Sequence, residues 1–340
     1  MRGNSIGNFL VLTSFGESHG SALGAVIDGC PAGVSLTSDH ISAALLRRRP
    51  GQSLITSARQ EADEAEILSG VYENRTLGTP IAVIVRNHDA RSEDYDVQMY
   101  RAGHADRVWE DKYVHRDHRG GGRSSGRETI ARVIGGAVAE RILPDTLRIV
   151  AFARQIGNVA LGESLIDVTR ADVDSFTTRC PNSVADAAIS ELLLRLKKQG
   201  DSVGGIVELH IDGAPSGLGE PVFNKAKSML TAAMMSIGAV SGVSLGDAFS
   251  DCLLTGSQFH ASDPDQSPGM ADRAHGIQGG ITNGKRISLQ IAVKPPSTIG
   301  EKARQGRHDP CIVPRVIPVI ESMAALVLAD LLLASRLDNM

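Results

Sequence analysis

The residues best suited to chemistry lie between Arg119 and Arg127, where the sequence is RGGGRSSGR. Consecutive glycines leave a bare backbone that a ligand can approach, and Arg119, Arg123 and Arg127 surround it with permanent positive charge. Ser125, followed three residues later by Glu128, predicts a capping box that starts a helix. Because free backbone N–H groups and the helix dipole both attract anions, this segment predicts a phosphate-binding loop.

Two histidines lie in glycine-bracketed motifs. The motif GESHG, at Gly16–Gly20, contains Ser18 and His19, and the motif GHAD contains His104 and Asp106. An imidazole with a pKa near neutrality suits general acid catalysis, whereas the plainer interpretations are a polar turn and a structural His104–Asp106 pair. The G-x-S-x-G spacing of the first motif also fits a nucleophile elbow. That elbow requires a helix after the serine, and the sequence predicts a strand there, which argues against a serine hydrolase.

Further charged or glycine-rich segments extend the list of candidates. Arg47–Arg49 closes a predicted helix, where cations suit the dipole but at least one guanidinium is expected to face an anionic ligand. Gly276–Gly284 predicts either a hairpin turn or a bare surface for a flat ring or a phosphate. Arg307 and Asp309 add a cation and a carboxylate, which could equally form a surface ion pair.

The spacing of the His, Asp and Cys residues does not predict a metal site. His115, Asp117 and His118 are close in sequence, but solvated loop residues explain them, so no metal site is expected. The chain has four scattered cysteines, none with metal-ligand or redox spacing, which indicates reduced thiols.

The elements that must position these residues follow from hydrophobic periodicity. Helices are expected over 39–48, capped by Ser38 or Asp39, over 188–198 and over 222–237, with a last helix that starts at Pro318. Strands are expected over 9–12, 21–28, 81–85, 207–211 and 287–293, the last two each with one wet face. The stretch 87–126 is polar and aperiodic, as active-site loops often are. Strands and helices do not alternate regularly, so we expect a single α+β domain over residues 1–340.

Composition limits the function further. The hydrophobic fraction is 42% and the aromatic fraction only 4%, which predicts an aliphatic core. A net charge of −4 argues against a general nucleic-acid-binding protein. The N-terminus has no apolar signal region, and no uninterrupted apolar run reaches membrane length, so we expect a cytoplasmic protein with no membrane span.

Taken together, the motifs resemble the chorismate synthase family over nearly the whole chain. The resemblance rests on GESHG (16–20), RRRPGQ (47–52), SGV…GTPI (69–81), GHAD (103–106), RGGGRSS (119–125), GLGEP (217–221), GGITNG (279–284) and RHDPC (307–311). It implies a β-α-β sandwich with helices packed between antiparallel sheets. It also implies a homotetrameric lyase of the shikimate pathway, which forms chorismate from 5-enolpyruvylshikimate-3-phosphate by anti 1,4-elimination of phosphate and requires reduced FMN.

The resemblance also implies roles for particular residues. His19 would protonate the leaving phosphate, His104 would protonate the reduced flavin, and Asp309 would help to deprotonate it near N5, with Ser18 and Ser125 in support. Arg48 would hold the substrate phosphate, or the phosphate of NADPH in members that reduce their own flavin. The implied FMN contacts are Arg123, Ser124, Ser125, Gly238, Ala239, Gly279, Lys294, Pro295, Pro296, Ser297, Thr298 and Arg307.

The chain departs from the usual family pattern at several of these places. Gly238 stands where an Asn is usual, and Leu54 stands where an Arg is often found, which weakens the expectation of NADPH binding. The usual Asn-x-x-Gly-Gly-Ile is here 272–277, DRAHGI, and the loop 294–307 is short. Two other functions stay open at this point: an RNA-binding protein that uses its RGG-like loop, and a flavin reductase.

Overall fold

The computed structural model describes residues 3–51, 55, 62–87, 100, 103–115, 117, 121–162, 165, 167–260, 273–304 and 309–338. Its strands are β1 Ser5–Ile6, β2 Val11–Gly16, β3 Ala22–Asp28, β4 Ala65–Ile67, β5 Val71–Tyr72, β6 Arg75–Thr76, β7 Ile81–Arg86, β8 Arg148–Ile156, β9 Val159–Ala160, β10 Gly205–Asp212, β11 Val240–Leu245, β12 Ile277–Gln278, β13 Ile281–Thr282 and β14 Ile287–Val293. Its helices are α1 Ser38–Arg48, α2 Asp106–Tyr113, α3 Thr129–Glu140, α4 Arg170–Asp174, α5 Ser183–Gln199, α6 Ala226–Met235, α7 Ala248–Asp251, α8 Gly256–His260, α9 Glu301–Arg304 and α10 Val313–Ser335.

Two antiparallel sheets form the outer layers. The first has the order β1-β2-β3-β7-β4, and the second has the order β11-β14-β10-β8-β9. Alternate side chains of each sheet point inward, such as Ala25 and Ile27 in the first and Val207 and Leu209 in the second, all fully buried. Burying an aliphatic side chain of this kind stabilises the fold by about 1.5–3 kcal/mol.

The two long apolar helices fill the space between the sheets. Helix α3 packs on β2 and β3, α10 packs on β8 and β10, and the two helices pack against each other. Helix α10 is buried over nearly its whole length because it is apolar on all sides. The arrangement confirms the predicted α+β sandwich with helices between antiparallel sheets.

The start of α10 differs from the prediction. The helix begins at Val313 rather than at Pro318, which lies inside it. Proline has no N–H to offer the carbonyl four residues earlier, and the Arg179 guanidinium donates to that carbonyl, of Pro314, instead. By length and hydropathy α10 could cross a membrane, but 89% of its most apolar window is buried inside the protein. It is therefore packed as a core helix.

Several predicted boundaries are wrong for identifiable reasons. The cap of α1 is Thr37, which forms a capping box with His40, rather than Ser38 or Asp39. Helix α6 starts at Ala226, since Val222 and Phe223 lie in an exposed turn before it. In the polar stretch 87–126, α2 forms without an apolar stripe, so periodicity could not reveal it.

The two strands predicted to have one wet face differ from each other. In β14 the alternate residues are half-buried, as predicted. In β10 the polar residues Glu208 and His210 are buried as well, so that strand has no wet face. The His210 Nε2 and a Glu208 carboxylate oxygen lie 2.8 Å apart, which shows how two polar side chains are accommodated there.

Candidate active site

The turn between β2 and β3 places Ser18 and His19. Ser18 is fully buried, His19 is 9% exposed, and the serine Oγ lies 3.0 Å from the histidine Nδ1. The Asn87 side-chain amide clamps the turn by donating to the carbonyls of Glu17 and Gly20, at 3.2 and 2.8 Å. Because the Ser18 contact occupies Nδ1 and the turn is held at both ends, the imidazole has a defined orientation, as a proton donor requires.

His104 is positioned just before α2. Its Nδ1 lies 2.8 Å from a carboxylate oxygen of Asp106, which is 7% exposed on its side chain. The Cε1 and Nε2 edge of the ring lies over Gly121, where even a methyl group would come within 3.3 Å of both atoms. The contact proposed in the plainer interpretation, a His104–Asp106 pair, is therefore present. It also fixes the ring and leaves the Nε2 edge against the glycine-rich loop.

The glycine-rich loop adopts a different form from the predicted capping box. Residues 122–124 and 126–128 form two short 3₁₀ turns before α3, and Ser125 accepts a hydrogen bond from the Arg127 N–H at 3.3 Å. The Glu128 carboxylate instead pairs with Arg132, one helical turn further on, at 3.0 Å. The box fails because a charged guanidinium at i+4 is a stronger partner for this carboxylate than a backbone N–H.

Arg123 connects this loop to the first sheet. Its guanidinium donates to the carbonyls of Gly16 and Ser14, at 3.0 and 3.4 Å, and to the Ser14 hydroxyl. These bonds hold the loop beside the Ser18–His19 turn. Arg119, the first cation of the motif, lies outside the described residues.

A buried ionic cluster lies beneath these loops. Asp63 has no exposed side-chain area and pairs with Arg48 at 2.5 Å and with Arg127 at 2.9 Å. Arg127 also donates through Nε to the Asn87 side chain at 2.5 Å, which connects the cluster to the His19 turn. Thr129, in the first turn of α3, accepts a bond from Arg48 at 3.4 Å. The loop that carries Asp63 has no periodicity, so the sequence offered no signal for this residue.

Asp309 joins the same cluster through a second arginine that sequence reasoning missed. The Asp309 carboxylate, 6% exposed, pairs with Arg315 at the start of α10. Arg315 lies close enough to Arg48 to act on its ionisation. Arg315 lies before Pro318, where the sequence predicted the helix to start, so the helical pattern gave no signal for it.

The guanidiniums of this cluster act on one another electrostatically. Burial, together with Arg315 and Arg127, lowers the pKa of Arg48 to about 10, although Asp63 acts in the opposite direction. Burial raises the pKa of Asp63, but Arg48 and Arg127 outweigh it and hold that pKa below its ordinary range. The Nε atoms of Arg48 and Arg315 are buried and have no hydrogen-bond partner in the described part of the chain. A buried cation with an unused donor is the feature that an anionic ligand satisfies.

The residues predicted to contact a flavin fall into two groups. Lys294, at the end of β14, donates its N–H to the Ala239 carbonyl at 2.9 Å, so the segments 238–239 and 294–298 meet. Ser297 donates to the Gly103 carbonyl at 2.9 Å, which brings this segment to the His104 motif. Gly279 lies apart, at the tip of the β12–β13 hairpin. Of the remaining predicted contacts, Ser124 lies in the glycine-rich loop and Pro295, Pro296 and Thr298 lie in the segment 294–298, whereas Arg307 lies outside the described residues.

The backbone at two of these positions suits a flat ligand. A methyl group placed on Gly238 or on Gly279 would meet no atom within 4 Å, so the bare backbone there faces open space. At Gly238 this leaves room for the larger residue usual in the family, but the chain itself supplies no side chain.

The described residues contain no cluster of His, Cys, Asp or Glu able to hold a metal ion.

Comparisons with known proteins identify the family of this chain. A sequence profile of the family described as "Chorismate synthase" matches residues 10–333. The chain is 47% identical to a chorismate synthase of Bdellovibrio bacteriovorus over 100% of both chains. It is 46% identical to one of a Synechocystis species over 97% of each. A crystal structure of chorismate synthase, 31% identical in sequence, superposes with a TM-score of 0.79 over 97% of this chain and 93% of the other. The chain therefore belongs to the chorismate synthase family, the flavin-dependent lyases that form chorismate by eliminating phosphate from 5-enolpyruvylshikimate-3-phosphate.

Proposed function

We propose that this chain performs the family's elimination at the site between the His19 turn, the His104 motif and the buried arginine cluster, with reduced FMN as its cofactor. The observation that carries the proposal is the cluster itself. Three buried or half-buried guanidinium groups, of Arg48, Arg127 and Arg315, surround the two carboxylates of Asp63 and Asp309. The unused Nε donors of Arg48 and Arg315 suit the substrate, which carries a phosphate and two carboxylates.

His19 has the surroundings of the acid that assists phosphate departure. It is nearly buried, it is oriented by Ser18, and its turn is connected through Asn87 to the Arg127 guanidinium. A phosphate bound by the arginines would thus lie on the side of the molecule that carries the His19 turn. Protonation of the leaving oxygen by a positioned imidazole lowers the barrier to breaking the C–O bond.

His104 has the surroundings of a residue that acts on the cofactor. Ser297, in the segment 294–298, bonds to the carbonyl of Gly103 directly before it. Reduced FMN, when bound, would supply electron density for breaking the C–O bond and would take up the C6 hydrogen. His104 holds a proton for the reduced flavin through the ring edge opposite Asp106. Asp309 is kept in place by Arg315, and its carboxylate would accept a proton from the bound flavin.

The test of this function is an anaerobic assay with 5-enolpyruvylshikimate-3-phosphate and dithionite-reduced FMN. We expect chorismate and inorganic phosphate to appear in equal amounts. Steady oxidation of NADPH without the shikimate substrate would favour a flavin reductase, and salt-sensitive RNA binding without turnover would favour the RNA-binding alternative.

The two histidine roles make separate predictions. His104→Ala is expected to lower turnover about 10²-fold while the protein stays folded, as is typical when a general acid is lost. His19→Ala is expected to lose a similar factor but to shift the pH profile differently, because it acts on the phosphate rather than on the cofactor. Full activity of His104→Ala, or identical pH profiles of the two variants, would contradict these assignments.

We infer further that the chain depends on an external source of reduced FMN. Arg48 is present, but Leu54 provides no second guanidinium for the NADPH phosphate, and such a contact is worth about 1.5–3 kcal/mol. Leu54 lies outside the described residues. Anaerobic enzyme with oxidised FMN, substrate and NADPH is expected to form little chorismate. A rate comparable to that with chemically reduced FMN would contradict the inference.

The oligomeric state of the protein is part of the same proposal. We expect a cytoplasmic homotetramer, which light scattering after size-exclusion chromatography measures directly.

The affinity for FMN is expected to depend on the substrate. FMN is expected to bind weakly alone and tightly once substrate is present, since distant glycine-rich segments must be ordered around both ligands. Equal FMN affinity with and without substrate in calorimetry would contradict this expectation.

A further inference from the structure

A second charged cluster lies beside the β12–β13 hairpin and is used by none of the roles above. The Asp251 carboxylate, 7% exposed at the end of α7, pairs through one oxygen with Arg273. Its other oxygen lies 3.4 Å from Nε2 of His275. The Nε of Arg273 is buried and has no hydrogen-bond partner among the described residues, so the pair with Asp251 is the anchor of that guanidinium.

His275 is held in an unusual backbone conformation by this cluster. Its φ is +46°, in the left-handed region that costs a non-glycine residue free energy. Its ring lies directly on Gly246, where a methyl group would come within 2.0 Å of Cε1. Gly246 is itself fixed, because its N–H donates to the Ser288 carbonyl of β14 at 2.8 Å. The imidazole therefore rests on a rigid platform and reaches Asp251 from it.

The cluster lies on one side of the β12–β13 hairpin. The exit side of the hairpin is tied down by backbone bonds, with Thr282 N–H donating to the Leu218 carbonyl at 2.9 Å and Ala226 N–H donating to the Gly280 carbonyl at 2.7 Å. Arg273 and His275 lie on the entry side, directly before β12. Asp251 thus connects that entry to α7, which follows β11 and so continues from Gly238 and Ala239.

We propose that Asp251 is a positioning residue for flavin binding, which acts through Arg273 and His275 to hold the Gly279 tip in register with the 238–239 segment. The inference rests on the proposed function, because it assumes that the two glycine-rich segments contact the same cofactor. Asp251 touches neither substrate nor cofactor in this assignment. It fixes the hairpin before the ligand arrives, which lowers the entropy cost of binding.

The experiment measures FMN affinity and turnover separately in Asp251→Asn and in a matched control, Asp247→Asn. Asp247 is an exposed carboxylate on the neighbouring turn that accepts a bond from Gln290 at 2.8 Å. With 5-enolpyruvylshikimate-3-phosphate present, Asp251→Asn is expected to raise the Kd of reduced FMN about tenfold or more, as for loss of a charge-assisted hydrogen bond. The kcat at saturating FMN is expected to stay within about twofold, since the reacting groups are untouched. The control is expected to match the wild type.

A second variant keeps the test decisive if Asp251→Asn folds poorly. His275→Gly fits the same backbone conformation and removes only one of the two contacts to Asp251, so it is expected to weaken FMN binding by less. In the double variant, His275→Gly is expected to add little to Asp251→Asn, since the contact is already lost. Circular dichroism and melting temperature show whether each variant is folded.

The outcomes separate this inference from the proposed function. If the wild type forms chorismate and binds FMN, but Asp251→Asn and His275→Gly bind FMN as tightly, the positioning role is wrong and the function stands. Equal loss in the Asp247→Asn control would also overturn it, as a general effect of charge. A wild type that binds no FMN beside its substrate would overturn both.

Discussion

Two neighbouring arginines of α1 enter two very different ionic clusters. Arg47 pairs with Glu321 and with Asp174, and those carboxylates are shared with Arg170 and Arg179. Although burial lowers the pKa of Arg47, Glu321 and Asp174 outweigh burial and raise that pKa above its ordinary range. Arg48, the next residue, is buried beside two further guanidiniums, and its pKa falls to about 10.

The difference is one of charge balance. In the Arg47 cluster, Arg47, Arg170 and Arg179 meet the three carboxylates of Asp174, Glu321 and Glu140. In the Arg48 cluster, the guanidiniums of Arg48, Arg127 and Arg315 pair with the carboxylates of Asp63 and Asp309. A balanced cluster holds helices together, whereas a buried excess of positive charge is costly unless an anion completes it. We therefore expect the first cluster to have a structural role and propose the second as the substrate-binding cluster.

The strongest test of this contrast removes each arginine in turn. Arg48→Met is expected to lower kcat/KM at least about 10²-fold, because the substrate phosphate loses a charge-assisted contact and Asp63 loses a partner. Arg47→Met is expected to lower the free energy of unfolding by about 1–3 kcal/mol while kcat/KM of the folded enzyme stays within about twofold. Steady-state kinetics and urea unfolding measure both quantities. A comparable loss of kcat/KM in both variants would remove the distinction.

The Asp63 carboxylate of the Arg48 cluster is expected to make the stability of the fold sensitive to acid. The pKa of Asp63 is lowered in the folded protein, so its ion pairs stabilise the fold above the ordinary Asp pKa, and that contribution is lost as the pH falls through the lower folded value. Asp63→Asn is expected to cost about 3–5 kcal/mol at pH 7, because two buried guanidiniums lose their counter-charge.

The free energy of unfolding of Asp63→Asn should therefore change less than that of the wild type between pH 7 and pH 3. If Asp63→Asn and the wild type lose the same free energy of unfolding between pH 7 and pH 3, Asp63 does not contribute to the acid sensitivity of the fold.

The smallest expected effect is stabilisation by a simple anion. Inorganic phosphate at ten times its Kd would add about 1.4 kcal/mol to the free energy of unfolding, or roughly 2–4 °C in melting temperature. The shift should persist in Arg47→Met and disappear in Arg48→Met. Differential scanning fluorimetry with sodium chloride at matched ionic strength measures it, and an equal shift in all three proteins would indicate unspecific salt effects.

Local patterns in the sequence were sufficient for part of the fold. The alternation in β14 and the continuous apolar run of β7 correspond to strands at the predicted places, because side chains two residues apart must share one face of a sheet. The positions of the helix ends were predicted less accurately from the sequence. Thr37 rather than Ser38 caps α1, and Pro318 lies inside α10, since the free carbonyl of Pro314 finds a donor that is distant in sequence, Arg179.

The candidate site also combines residues that the sequence predicts with residues that only the fold brings together. The amino-acid sequence by itself determined the family, the α+β class, and the motifs around His19, His104 and the glycine-rich loop, because residue type and short spacing decide which groups can transfer protons or approach an anion. Only the tertiary structure decided that Arg47 pairs with two carboxylates, whereas Arg48 pairs with Asp63, which it shares with Arg127. It also revealed Asp63, Arg315 and Asp251. Their surroundings come from segments far apart in the chain, and both burial and charge compensation are properties of the assembled fold.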